Sequence, residues 1–121
     1  MPKTILIAAS DPNIVYLLQR YAEESGFEVA RCGREKDLPQ LAKQITPELI
    51  VLQLEPPDHV WQQSLHSLKS DPATHRIPVV AYSCFEEIVR NQVDGVAVIL
   101  QKSVLYGDFI AALEQAGVYV D

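Results

Sequence analysis

The chain is short of cysteine and glycine, has no basic cluster, and carries no long apolar run. Its two cysteines, Cys32 and Cys84, have no metal-ligand spacing. With no secretory pattern at the start, a reduced cytoplasmic setting is the natural expectation. No apolar run approaches the ~20 residues needed to cross a bilayer, so no membrane role is expected. Sixteen acidic residues against ten basic ones leave a net charge of −6. Without clustered Lys and Arg there is nothing to neutralise phosphates, and nucleic acid is not an expected partner. No Gly-rich phosphate loop follows the first apolar run. Internal repeats, low-complexity stretches and long linkers are also missing.

What remains is an ordinary balance for one domain: 121 residues, 48% hydrophobic and 21% charged. That length supports a single domain over residues 1–121 with its own core, without staples. The ending "GVYVD" is an apolar tail, read as a point where a longer protein could continue.

Five short apolar runs stand out: 4–9 (TILIAA), 27–32 (FEVARC), 49–54 (LIVLQL), 77–83 (IPVVAYS) and 96–101 (VAVILQ). Three are apolar on nearly every residue, as strands covered on both faces are. Helical patterns lie between them. Asp11-Pro12 supplies an N-cap followed by proline at the first helical position. Ile14, Leu17, Leu18 and Tyr21 follow at helical spacing, and Gly26 is a stop. Leu38, Leu41, Ala42 and Ile45 mark a second helix, and Trp61, Ser64, Leu65 and Leu68 a third. Residues 84–93 are less regular. Leu105, Phe109, Ala112, Leu113 and Ala116 mark the last helix, closed by Gly117.

Strand–helix alternation repeated five times predicts βαβ crossovers, a doubly wound parallel sheet and helices on both faces. In such sheets chemistry gathers at the carboxyl ends of the strands. The residues that matter most are therefore Ala9, Ser10, Asp11, Gln53, Ser83 and Lys102.

With these pieces in place, the sequence resembles a receiver domain, the CheY-like module of two-component signalling. "ILIAASDPNIVYLLQRYAEESGFEV" resembles the family's opening strand, first helix and second strand. "PELIVLQLEPPD" resembles the strand and loop that carry the phosphorylated aspartate. "LKSDPATHRIPVVAYS" resembles the third helix and fourth strand and is the most specific piece; "ILQKS" resembles the end of the fifth strand. The resemblance implies a flavodoxin-like, five-stranded sheet in the order 2-1-3-4-5.

It also implies a site of five positions. Two acidic residues that hold Mg²⁺ are here Ala9 and Ser10, and the phosphoacceptor aspartate is Gln53. The hydroxyl residue is retained as Ser83 and the lysine as Lys102, although Ser103 replaces the usual proline. Mg²⁺ requires hard, charged oxygen ligands. Acyl-phosphate formation requires an anionic oxygen nucleophile and a cation to offset the transferred charge. Ala9, Ser10 and Gln53 supply neither. The expectation is a degenerate pseudo-receiver with no cofactor and no enzymatic activity. It would act through protein contacts with a kinase, an output domain, another receiver or a second copy of itself.

Each residue also has a plainer reading. Gln53 is first a polar plug that satisfies its neighbours, with the hydroxyls of Ser10 and Ser83 as expected partners, and second a neutral lock. Lys102 is first a structural partner of Asp11 or Gln53, and second a residual anion site. Asp11 with Glu55 is a weak cation site at most, Asp11 being first a helix cap. His59, His66 and His75 read as solvated or packing residues, and Cys84 as an inert thiol. Ile99 stands where the family has its aromatic switch residue. Phe85, Ile88, Val89, Ile99, Val104 and Tyr106 form the expected interaction face. Two alternatives stay open: an atypical phosphoacceptor using Asp58 or Glu55, and an anion-binding flavodoxin-like module at Ser83 and Lys102.

Overall fold

The computed structural model describes residues 3–54, 58–83, 94–101 and 104–119, with the backbone alone at 35, 58 and 59. Five strands form one parallel sheet: β1 (Thr4–Ala8), β2 (Glu28–Arg31), β3 (Leu49–Gln53), β4 (Val79–Ser83) and β5 (Val98–Gln101). Four α-helices are described: α1 (Pro12–Glu24), α2 (Leu38–Ile45), α3 (Asp58–Ser70) and α4 (Tyr106–Gln115), with a 3₁₀ turn at Glu35–Asp37. The sheet order is β2-β1-β3-β4-β5, as expected. Each expected strand is trimmed by one or two residues at one or both ends. The irregular segment 84–93 lies outside the described residues.

The burial pattern follows from position in the sheet. β3 and β4 are buried at every residue and β1 at all but Thr4, whereas edge strands β2 and β5 are largely half-exposed. Successive side chains on a strand point to opposite faces. Ile5, Ile7, Leu49, Val51, Val80 and Tyr82 therefore meet α1 and α4, while Leu6, Ala8, Ile50, Leu52, Val79 and Ala81 meet α2 and α3. Each fully buried aliphatic side chain contributes about 1.5–3 kcal/mol of transfer free energy.

The helices dock as their spacing dictates, with two shifts. Trp61, Ser64, Leu65 and Leu68 are all buried on α3. On α1 the deepest residues are Val15, Leu18 and Ala22, while Ile14, Leu17 and Tyr21 flank that stripe half-exposed. Leu105, expected on the last helix's apolar face, precedes that helix and is 66% exposed. The reason is local: the Asp108 carboxylate accepts the Leu105 N–H at 2.9 Å, so Leu105 ends the loop and its side chain points outward.

Start and stop signals fix where the strand ends lie. Asp11 caps α1, its Oδ1 accepting the Asn13 N–H at 2.9 Å, with Pro12 in the first turn. At the other end, Gly26 takes φ +90°, the Gly26 N–H donates to the Glu23 carbonyl, and the Phe27 N–H donates to Ala22. This closes α1 and delivers buried Phe27 to the core just before β2. From the last turn of α3, the Lys69 ammonium donates to the Ile77 carbonyl at 2.9 Å and steadies the approach to β4. Burial pulls the Lys69 pKa below the ordinary lysine value.

Candidate functional site

The carboxyl ends of β1 and β3 come together because the strands are neighbours, with Ala8 paired to Leu52. Gln53, at the end of β3, is paired in register with Tyr82 on β4, and Ser83 follows one residue on. Gln53 is 5% exposed and Ser83 1% exposed. Both are polar groups held at the rim of an otherwise apolar sheet, where desolvation penalises any unmade hydrogen bond.

The Gln53 carboxamide reaches across to the β1–α1 loop. Its Oε1 accepts the Ser10 backbone N–H at 2.9 Å and the Asp11 backbone N–H at 3.3 Å. Residue types alone point to the Ser10 hydroxyl as a partner; the structure puts the Ser10 main chain in that role. Ala9 is half-buried against the α1–α4 side of the core, and Ser10 is exposed. Of the five site positions, the structure thus brings Ala9, Ser10 and Gln53 to one rim with Ser83 nearby. Lys102, Ser103 and Glu55 lie outside the described residues.

The donor set does not fit a divalent cation. Ala9 has no side-chain ligand, Ser10 offers a neutral hydroxyl, and the Gln53 oxygen already accepts two N–H groups. The Asp11 carboxylate accepts from Asn13, as a cap does. Among the described residues no group of three or more His, Cys, Asp or Glu side chains could hold a metal ion.

The expected interaction face is revised. Val104 is 4% exposed and belongs to the core with Phe109 and Leu113, so it is not a surface residue. Ile99 packs, half-buried, against the α2–α3 side of the core. Val104 follows β5 and turns inward onto the α1–α4 side of the core, which removes it from the face, whereas Ile99 keeps part of its surface exposed. Tyr106 stays on the surface at 38% exposure. Phe85, Ile88 and Val89 lie outside the described residues, as does Cys84; Cys32 is buried, its thiol directed at the Arg34 carbonyl. His66 and His75 are exposed, as expected.

A polar-aromatic clasp between the last turns of α1 and the start of α4 is not evident from the sequence. The Tyr21 hydroxyl donates to the Val104 carbonyl at 2.9 Å, and the Tyr21 ring meets Tyr106 edge-on at 5.5 Å. Ser25 Oγ donates to the Tyr21 carbonyl at 2.8 Å and stands 3.0 Å from the Tyr106 hydroxyl. A serine hydroxyl has one proton, so Tyr106 is the donor in the second contact. The available signal is that tyrosine, on the edge of a helix face, carries a polar tip that seeks a partner.

No protein-family model matches the chain. In sequence it is similar to the polar-differentiation response regulator DivK of Brucella anthropi, 28% identical over 85 residues, covering 70% of this chain and 69% of that one. In structure it is similar to the receiver domain of sensor histidine kinase PA1611 from Pseudomonas aeruginosa, with a TM-score of 0.81, 13% identity, and coverage of 97% and 99%. That domain has a magnesium ion coordinated in its active-site cleft. The fold also matches Vibrio cholerae chemotaxis protein CheY4, with a TM-score of 0.81, 12% identity, and coverage of 96% and 99%. The chain has the fold of CheY-like receiver domains. Within this receiver fold the Gln53 bonds lie at the strand ends where such sheets place their sites.

Proposed function

We propose that this receiver domain serves two-component signalling as a phosphorylation-independent, cytoplasmic protein-interaction module, with no enzymatic step of its own. One observation carries the reading. At the end of β3 a neutral carboxamide accepts the Ser10 and Asp11 N–H groups, at the position where the family resemblance implies the phosphoacceptor carboxylate. A carboxamide has no anionic oxygen to attack a phosphoryl donor, and the neighbouring positions 9 and 10 carry no carboxylate to hold the cation that such transfer needs. The similarity to DivK, a response regulator, supports the signalling context. The partner would be a kinase, an output domain, another receiver or a second copy of the chain.

The test is intact-mass measurement after incubation with Mg²⁺ and acetyl phosphate. An unchanged mass is expected. A labile gain of one phosphoryl group overturns the proposal, and mapping that group to Asp58 or Glu55 would establish an atypical phosphoacceptor instead.

A further inference from the structure

We infer that Gln53 is an internal latch: its carboxamide orders the β1–α1 loop from within the protein, with no ion or phosphoryl group needed to join loop and strand end. The inference rests on the phosphorylation-independent reading proposed above and names how that site is held.

The latch is a relay of bonds that begins in the rigid sheet. The Gln53 main chain is held in β3, which pairs with β1 and β4. Its side-chain oxygen takes the N–H groups of Ser10 and Asp11 at 2.9 and 3.3 Å. Asp11 passes the order on, since its carboxylate accepts the Asn13 N–H and its carbonyl accepts the Val15 N–H at 3.0 Å. Strand, loop and the first turn of α1 are thereby tied in series.

Polarity and reach set what this arrangement does. The Ser10 and Asp11 N–H groups face the strand end as donors, and a cation needs acceptors. Reach is as important as polarity. Asparagine has the same carboxamide but is one methylene shorter, which retracts the oxygen by ~1.5 Å, about one C–C bond. Both contacts would then exceed hydrogen-bonding distance. Glutamate keeps the length and offers a stronger, charged acceptor to the same two donors. The loop conformation is therefore set by the length of residue 53 and is constitutive.

The test is residue-resolved amide hydrogen exchange on the ¹⁵N-labelled chain, comparing wild type, Gln53→Asn and Gln53→Glu. In Gln53→Asn the Ser10 and Asp11 amides should exchange roughly fivefold to thirtyfold faster, as expected for loss of one or two net hydrogen bonds. Leu6 and Val51, in the middle of the sheet, should be unchanged, and Gln53→Glu should keep the loop protected. Equal protection of the loop in Gln53→Asn overturns the latch, as does parallel acceleration of loop and core. Adding Mg²⁺ with beryllofluoride to the wild type probes the underlying reading separately. Saturable shifts at Gln53, Ser83 and Lys102 would overturn phosphorylation independence, whereas the latch is judged by exchange rates in the variants alone.

Discussion

The Tyr21 hydroxyl donates to the Val104 carbonyl at 2.9 Å, joining α1 to the chain between β5 and α4 across 83 positions of sequence. The carbonyl is partly buried, so its lost partner is not fully replaced by water. Tyr21→Phe keeps the ring contacts to Tyr106 and Phe109 and removes this bond alone. The expected loss is about 1 kcal/mol of unfolding free energy, read as a lower midpoint in urea with an unchanged slope.

Ser25 tests the other half of the clasp. Its hydroxyl donates to the Tyr21 carbonyl and accepts from Tyr106 in the turn that ends α1. Ser25→Ala removes both contacts from a buried position and is expected to destabilise by about 1–3 kcal/mol, more than Tyr21→Phe. Tyr21→Phe leaves both partners of Ser25 in place, so the two losses should add to within about 0.5 kcal/mol, which a double-mutant cycle checks.

Thr46 ends α2 at φ +49°, ψ +61°, where its branched side chain is strained. Its N–H bonds to the Ala42 carbonyl at 2.8 Å, and its hydroxyl donates to the Ile45 carbonyl at 2.7 Å at an exposed position where water can take that place. Asparagine tolerates the left-handed region better. Thr46→Asn is expected to stabilise by about 0.5–1 kcal/mol, consistent with the strain such residues store. A thermal melt with an unchanged or lower midpoint would refute this.

Much of the fold is legible in the amino-acid sequence. β1, β3 and β4 announce themselves as continuous apolar runs because they are covered on both faces, and Asp11-Pro12 and Gly26 mark the ends of α1. The strand order follows from family resemblance, since alternation of strand and helix fixes handedness and layering but not which strands are neighbours. Apolar residues near an edge strand are less legible. Val104 and Leu105 are adjacent and both apolar, yet one is buried and the other is 66% exposed, because the Asp108 cap sets the loop direction. The Gln53 contacts are legible in kind but not in partner. Side-chain types suggest hydroxyls, whereas the positions of backbone N–H groups depend on how the loop folds.

Asp71 links acid sensitivity to a defined contact. The Lys43 ammonium bonded to its carboxylate, and the Ala73 N–H, hold the Asp71 pKa below the ordinary carboxylate value. A carboxylate with a depressed folded-state pKa contributes stability above its unfolded pKa of about 3.9, and that contribution is lost as the pH falls through the lower folded value. Asp71→Asn should therefore melt below wild type at pH 7, and the gap should close below about pH 4. Added salt should narrow the gap at pH 7, because both groups are partly exposed.

Introducing a single carboxylate at position 53 should not create a phosphorylation switch. Gln53→Asp supplies the anionic oxygen, but Ala9 and Ser10 still provide no charged ligand to hold a cation beside it. The shorter aspartate also releases the Ser10 and Asp11 N–H groups that Gln53 engages. The single variant is expected to show no mass gain with acetyl phosphate and no saturable Mg²⁺ response in its amide spectrum. The triple variant Ala9→Asp, Ser10→Asp, Gln53→Asp brings three carboxylates to one rim, where their mutual repulsion is relieved by a divalent cation. It should bind Mg²⁺ saturably and melt at a higher temperature with Mg²⁺ than without, as binding to the folded state alone requires. Phosphorylation of the single variant would show that a cation reaches this site without residues 9 and 10, and would locate the missing ligands elsewhere in the chain.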